Sequence, residues 1–260
     1  DCWFNTSKLL KSFCLPKYLS SKKPLLNLNN CFPICKNSVS NSLQLGGKDV
    51  LNNCLLTGPN GSGKSTFLKS VMSSVLLGQT ICCLPAENAE FTPFDYCSTY
   101  LNIPDCQGKE SLFQAEMSRC HKHLKKLKSL EKDNKLSLNI MDEIFVSTNY
   151  YEGVSGAYAI CKKMSQYPNS LAIITTHFPV LSQKCRDDPL FKTYYFPVES
   201  LPDGSIKGTY KLTPGESQQH LAIKMLQLKG FDNDIIDNAK QMYKYLMKLE
   251  EEKKEIIKKN

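Results

Sequence analysis

Short apolar runs alternate with longer segments of helical periodicity through most of the chain. The short runs predict β-strands, at residues 51–57, 80–84, 136–141 and 170–175. The periodic segments predict helices, at residues 64–77, 111–130 and 152–167. Because strands and helices alternate, we expect an α/β fold whose mostly parallel sheet is covered by helices on both faces.

The two ends of the chain have other patterns. Residues 1–45 are rich in Pro, Asn and Ser with little periodicity, which predicts an irregular lead-in from an upstream region. At the other end, helices are predicted over 216–228 and 232–259, with Gly230 as the stop between them. Their apolar stripes suit either packing on the same domain or contact with a partner.

Two connecting segments complete the prediction. A loop is predicted at residues 85–93. Two paired strands are predicted at 193–198 and 207–212, on either side of a Pro-Asp-Gly-Ser turn. The chain then divides into a lead-in segment, an α/β domain and a C-terminal helix suited to a dimer contact. These parts are residues 1–45, 46–230 and 231–260.

Composition limits the class of protein. With 260 residues, of which 41% are hydrophobic, the chain can form one large domain or one domain with an appendage. It starts at Asp1, so we expect a piece of a longer protein or a processed one. No apolar run is long enough for a membrane span, and the first residues lack the apolar core of a signal peptide.

Cysteine usage and charge bear on compartment and partners. The twelve cysteines contain no Cys-x-x-Cys pair, and several lie in apolar runs that predict buried strands. This favours free thiols over disulfides or zinc, hence an intracellular, reducing compartment such as cytoplasm or nucleus. The net charge of +8 suits an anionic partner such as nucleic acid. However, the charge is concentrated in residues 121–135 and in the tail, a distribution typical of solvated helix faces.

A glycine-rich loop follows the strand predicted at 51–57 and precedes the helix that starts at Lys64. It matches the pattern G-x-x-x-x-G-K-S, whose backbone N–H groups surround phosphate oxygens with help from the helix N-terminus. Lys64 is then expected against the β- and γ-phosphates, and Ser65 on Mg²⁺. The expected nucleotide contacts are Gly58, Pro59, Asn60, Gly61, Ser62, Gly63, Lys64, Ser65 and Thr66.

Polar residues follow two further predicted strands. Asp142 and Glu143 end the run at 136–141, where side chains face the ligand crevice of a parallel sheet. Asp142 can hold Mg²⁺ through water, and Glu143 can orient or deprotonate an attacking water. His177 follows the strand at 170–175; it is either structural or a group that senses the γ-phosphate or holds the water.

These pieces, in this order, resemble the ATPase domain of the MutS family of DNA mismatch-repair proteins. The similarity spans about residues 37–242 and is carried by several segments: LPAENAEFTPFD, ESLFQAEMSR, MDEIFVSTNYYEGVSGAYAI, TTHFPVLS and YKLTPGESQQHLAIKMLQLKGFDNDIIDNAKQM. The resemblance implies an ABC-type P-loop NTPase fold with added C-terminal helices. It implies ATP and Mg²⁺ as ligands.

The resemblance also assigns roles to matching positions. Gly58, Asn60 and Gly63 to Thr66 fall on the phosphate loop, with Lys64 among the catalytic groups. Asp142 falls on the Mg²⁺ ligand, Glu143 on the water-activating acid and His177 on the third strand's histidine. Ser111 falls on a signature serine that reaches the nucleotide of the opposite subunit; it would also serve as a plain N-cap without a partner.

Departures from the family pattern indicate a divergent branch. Gly61 and Ser62 replace Met-Gly in the loop, and Val146 and Ser147 replace Arg-Gly after the acids. The nearest match to an aromatic residue that stacks on adenine is Ile34. The chain carries no Phe-x-Glu element of the kind that wedges at a mismatch.

The function implied is an ATP-binding and hydrolysing module that dimerises around ATP and switches a DNA clamp. The partner is a second MutS-like ATPase subunit, in a homo- or heterodimer. Double-stranded DNA would bind through domains outside this chain, and no membrane is involved. Two alternatives stay open: a nucleotide-dependent structural clamp, and another ABC-type ATPase of recombination, chromosome structure or ribosome rescue without mismatch recognition.

Overall fold

A computed structural model of the chain describes residues 13–35, 38–101, 112–187, 191–201, 205–217 and 222–259. The chain divides into two compact units. The first comprises residues 1–198 and 208–217, and the second comprises residues 199–207 and 218–260.

The first unit is built on a six-stranded sheet in the order β12-β9-β4-β8-β7-β6. Its strands are β4 (Asn53–Thr57), β6 (Tyr96–Tyr100), β7 (Ser137–Met141), β8 (Ser170–Thr175), β9 (Phe191–Tyr195) and β12 (Thr213–Pro214). All neighbours pair in parallel except β12 and β9. The prediction of a mixed α/β fold with a mostly parallel sheet is confirmed.

Helices pack on both faces of this sheet because its central strands are buried on both sides. Along β8, Leu171 and Ile173 belong to one apolar cluster while Ala172 and Ile174 belong to the other. The first cluster includes residues of α1 (Lys64–Ile81). The second includes residues of three helices: α2 (Leu112–Lys132), α3 (Tyr150–Met164) and α4 (Pro179–Asp187).

A smaller four-stranded sheet, in the order β1-β5-β2-β3, shares the core around α1. It consists of β1 (Lys17–Tyr18), β2 (Leu25–Cys31), β3 (Asn41–Gly46) and β5 (Asn88–Phe91). The prediction of an irregular segment at 1–45 is therefore wrong over its described part, as is the loop at 85–93. The signal was period-two burial: Leu26 and Leu28 on β2 are fully buried while the asparagines between and after them are more exposed.

The strand predicted at 80–84 is also wrong. Helix α1 continues to Ile81 and ends at Cys82, whose φ of 54° is left-handed. Cys82 is exposed and Cys83 half-buried, so this run is not the buried strand that its cysteines suggested. A short apolar run has the same composition at the end of a helix as in a strand, so periodicity alone does not separate the two.

The strand pairs near residue 205 are arranged differently from the prediction. Strand β10 (Val198–Ser200) pairs with β11 (Ile206–Gly208), while β9 pairs with β12. The predicted single hairpin is thus two short pairs. The proposed domain division at residues 45/46 and 230/231 stays a prediction.

Two helices occur among the described residues of the second unit. Helix α5 (Ala222–Leu228) is shorter than predicted within the described residues, and α6 (Asn233–Lys259) agrees with the prediction. Gly230 between them has a φ of +76° and lies in the turn that ends α5. Many large apolar side chains on both helices are exposed, namely Met225, Leu228, Ile235, Met242, Tyr243, Tyr245, Leu246 and Met247.

The ten cysteines within the described ranges are free thiols. Cys54 lies in β4 and Cys120 in α2, and both are buried. Burial raises the pKa of each of these thiols to about 12. They therefore stay protonated and unreactive at neutral pH. Cys2 and Cys106 lie outside the described residues. No helix in the described part of the chain is both long and apolar enough to cross a membrane.

His123 on α2 makes stability depend on pH. Its Nδ1 lies 3.2 Å from Ser98 Oγ. Burial, with the charge of Arg119, lowers the pKa of His123 from 6.5 to about 4. Between these two pH values the unfolded chain binds a proton that the native chain does not bind, so this contribution is present above about pH 6.5 and lost toward pH 4.

Acidification from about pH 7 to pH 4.5 lowers the free energy of unfolding. We expect this decrease to be roughly 2 kcal/mol larger in the parent than in His123→Leu. Urea unfolding at both pH values measures this difference. Because the comparison is within each protein, the pH-independent cost of the substitution cancels. Equal pH slopes in the two proteins would contradict the assignment.

Candidate functional site

The glycine-rich loop connects β4 to α1 at the end of the central sheet. Gly63, the residue before the helix, has a φ of +107°, and a Cβ there would lie 3.1 Å from Tyr210 Cδ1. Both conditions favour glycine. No side chain caps the start of α1. The first N–H groups of the helix are therefore available to an anion, toward which the helix dipole also points.

Lys64 is a buried cation, only 4% exposed. Its Nζ donates to the carbonyl oxygens of Gly58 at 2.8 Å and Pro59 at 3.3 Å. It also pairs with Glu143 Oε1 at 3.3 Å. The lysine therefore joins the loop after β4 to the acid segment after β7.

The acid segment contains Asp142 and Glu143 directly after β7. Thr175, the last residue of β8, donates from its hydroxyl to Asp142 Oδ1 at 2.5 Å and accepts from the Glu143 N–H at 3.0 Å. His177 Nδ1 lies 3.9 Å from Glu143 Oε2, and the side chain of His177 is 45% exposed. Parallel strand order brings these three segments to one edge of the sheet.

Glycines on α3 let the helix approach the segment that follows the acids. A Cβ on Gly153 would lie 2.6 Å from the Phe145 carbonyl oxygen, and one on Gly156 would lie 2.9 Å from the Phe145 ring. The Phe145 backbone has a φ of 61° and its side chain is 5% exposed. Helix α3 therefore packs closely against Phe145, in the segment that follows the acids.

A cavity of about 610 Å³ lies in front of the lysine and the acids. Its volume is in the range typical of small-molecule sites. The lining comprises loop and helix residues, the two acids and residues from three further segments: Pro33, Cys35, Ser38, Val39, Asn41, Asn60, Gly61, Gly63, Lys64, Ser65, Thr66, Phe67, Asp142, Glu143, Phe196 and Tyr210. It therefore combines cationic, acidic, hydroxyl and aromatic groups.

Comparison with known proteins identifies the family. A family model described as MutS domain V matches residues 54–247, which include the loop, the acids and the helix α5. The chain belongs to the MutS family.

Similar proteins include two from Saccharomyces cerevisiae. DNA mismatch repair protein MSH2 is 29% identical, over 86% of this chain and 23% of its own length. DNA mismatch repair protein MSH6 is 28% identical, over 86% of this chain and 17% of its own length. DNA mismatch repair protein MutS of Fervidobacterium nodosum is 26% identical, over 98% of this chain and 31% of its own length. The chain thus spans less than a third of each of these relatives.

Most of the site residues predicted for this MutS-family chain lie at or next to the cavity. The cavity lining includes Asn60, Gly61, Gly63, Lys64, Ser65, Thr66, Asp142 and Glu143. Gly58, Pro59 and Ser62 belong to the same loop outside the lining, where Gly58 and Pro59 bind Lys64. His177 reaches the site through Glu143. Ser111 lies outside the described residues.

Three residues that lie at the cavity or beside the acids were not singled out from the sequence. Tyr210 lines the cavity and packs against Gly63. Ile34, the residue that the resemblance matched to a base-stacking aromatic, is exposed and does not line the cavity. Asn41 fixes the Tyr210 segment, since its Nδ2 donates to Tyr210 O at 2.9 Å and its Oδ1 accepts from Leu212 N at 2.7 Å. Thr175 bridges the acids. The only signals in the sequence were an aromatic residue in the strand predicted at 207–212 and a polar residue at the end of the strand predicted at 170–175.

Among the positions that depart from the MutS pattern, Ser147 forms a hydrogen bond to a buried residue. Ser147 Oγ donates to Glu116 Oε2 at 2.7 Å, and Glu116 on α2 is 4% exposed. This bond satisfies a buried carboxylate. Val146 beside it is 42% exposed.

Proposed function

We propose that this chain is the ATPase domain of a MutS-like mismatch-repair protein, binding Mg·ATP in the cavity and hydrolysing it. The observation that carries the proposal is the buried Lys64 cation, held between loop carbonyls and Glu143 at the cavity wall. A buried cation needs an anionic partner, and in this structure Glu143 provides it. In the proposal the triphosphate of a nucleotide takes the place of Glu143 on Lys64, and the loop N–H groups bind the same phosphates.

The donor set suits Mg²⁺. Ser65 and Asp142 both line the cavity and supply a hydroxyl and a carboxylate oxygen, the ligand types that Mg²⁺ prefers. No cluster of three His, Cys, Asp or Glu side chains suited to a metal occurs within the described ranges. This agrees with an ion held by few protein groups together with substrate phosphates. When bound, it would neutralise phosphate charge.

Hydrolysis needs a group that orients and deprotonates water. Glu143 is that group in this proposal, because its carboxylate faces the cavity and contacts both Lys64 and His177. Lys64 would exchange its contact with Glu143 for the γ-phosphate. Glu143 would then be released to accept a proton from water, with His177 beside it.

Dimerisation around ATP is part of the proposal. Exposed apolar and aromatic side chains lie on the segments around the acids, including Val146, Tyr150 and Tyr151 at 42%, 41% and 66% exposure. Tyr150 packs against Phe178, whose ring lies 4.6 Å from that of His177. Such a patch beside a site favours a protein partner. The partner would be a second MutS-like subunit, contributing Ser111 in trans, and α6 would add contacts.

The proposal of a role in mismatch repair is based on the relatives, whose names state that activity. Since the chain spans less than a third of each, DNA contact is assigned to other domains. ATP binding would switch the clamp, because ATP favours one arrangement of the paired domains over the other. The protein would work inside the cell, in cytoplasm or nucleus.

The proposal assigns recognition of the nucleotide base to Tyr210, which lines the cavity. We expect calorimetry to detect Mg·ATP binding by the parent and a phosphate assay to detect hydrolysis. Tyr210→Ala should weaken ATP binding at least about fivefold, as loss of aromatic stacking does. Binding of inorganic triphosphate is expected to stay unchanged in that variant. Tyr18→Ala is the control, because Tyr18 is an exposed tyrosine on β1 of the smaller sheet. Absence of ATP binding by the parent at millimolar concentrations would reject the proposed function.

A further inference from the structure

Thr175 is a polar residue at the end of a strand that is buried along its whole length. Strand β8 reads Ser-Leu-Ala-Ile-Ile-Thr, and all six of its residues are buried. The register of β7 and β8 pairs Met141 with Ile174. The next residue on each strand is Asp142 on one side and Thr175 on the other, so the hydroxyl lies directly beside the acid segment.

The Thr175 hydroxyl is used in both directions. It donates to Asp142 Oδ1 at 2.5 Å and accepts from the Glu143 N–H at 3.0 Å. The first bond fixes one carboxylate oxygen of Asp142 and leaves the other for a ligand. It is a charge-assisted bond, which is shorter and stronger than one between neutral groups.

The second bond holds Glu143 in an unusual backbone conformation. Its φ is 51°, in the left-handed region that non-glycine residues adopt only at a cost. Such conformations persist where surrounding contacts enforce them. The Thr175 oxygen is the acceptor for the Glu143 N–H, and this conformation directs the carboxylate toward Lys64.

We propose that Thr175 is a positioning residue that sets the orientation of the Mg²⁺ ligand Asp142 and the general base Glu143 through one hydroxyl. The inference rests on the proposed function for its catalytic consequence. The hydrogen bonds by which Thr175 orients the acid segment do not depend on that function. One side chain would thus couple metal binding to water activation.

The test uses Thr175→Val, which keeps the shape and removes the hydroxyl, and Thr175→Ser, which restores it. The matched control is Thr92→Val. Thr92 directly follows β5 of the smaller sheet and is a fully buried threonine, whose hydroxyl bonds only the Leu25 backbone among the interactions described. All variants are made in the full-length protein.

For Thr175→Val we expect kcat for ATP to fall roughly 10- to 100-fold, as misplacement of a catalytic group does, with KM for ATP changed less than about threefold. The Mg²⁺ concentration for half-maximal rate should rise. Thr175→Ser should recover most of the rate. Thr92→Val should leave kcat within about twofold of the parent.

A second measurement needs no nucleotide. Amide hydrogen exchange at Glu143 is expected to accelerate at least about tenfold in Thr175→Val and to return in Thr175→Ser. If exchange and kcat both match those of Thr92→Val, the inference is overturned. If the parent hydrolyses no ATP, the proposed function fails, and exchange alone then decides whether Thr175 holds the acid segment.

Discussion

Lys64→Ala is expected to weaken Mg·ATP binding by at least about 100-fold, because a charge-assisted bond to phosphate and the neutralising cation are lost together. Lys64 is the described cation that both lines the cavity and is buried. Its removal also leaves the Glu143 carboxylate without its Lys64 contact. That negative charge would then repel the phosphates that the lysine had attracted.

Equilibrium dialysis with labelled ATP measures the loss. Lys69→Ala is the control, because Lys69 lies on the same helix with an exposed side chain. Lys64→Met tests the charge separately by keeping much of the apolar stem. Circular dichroism checks folding, since Lys64 also bonds Gly58 and Pro59. Binding of ATP by a folded Lys64→Met protein at the parent affinity would contradict the role of the lysine.

Local signals made part of the candidate site predictable. Strand, glycine-rich loop and helix are consecutive in sequence, so their spacing places Lys64 at the start of α1, on the far side of the loop from β4. Asp142 and Glu143 follow a fully buried strand, and strand order in a parallel sheet brings them to the same edge. These features depend on short-range patterns, which a single sequence contains.

Contacts between distant segments could not be predicted. Tyr210 meets Gly63, and Asn41 binds the Tyr210 backbone, across separations that no periodicity encodes. The strands of the small sheet were missed because Asn residues fill exposed positions of β2 and resemble loop composition. The end of α1 was assigned as a strand because a short apolar run is compatible with both.

Glu143→Gln is expected to lower kcat for ATP hydrolysis by about 100- to 10,000-fold, the range for loss of a general base. The amide keeps the size of the side chain but does not accept the proton from water at neutral pH. ATP binding should be as tight as in the parent or tighter, for two reasons. Lys64 no longer forms an ion pair with residue 143, and the carboxylate no longer repels the γ-phosphate.

Single-turnover phosphate release, measured beside the dissociation constant, separates these two effects. Glu90→Gln is the matched control, because Glu90 forms a 2.7 Å ion pair with Lys17 in the smaller sheet. Removing that pair should leave both quantities unchanged. Since the Gln variant keeps ATP uncleaved, it should also accumulate the ATP-bound dimer, which light scattering detects as a rise in mass to that of two subunits. Turnover at the parent rate would remove Glu143 as the base and leave the Lys64–Glu143 pair as a purely structural contact.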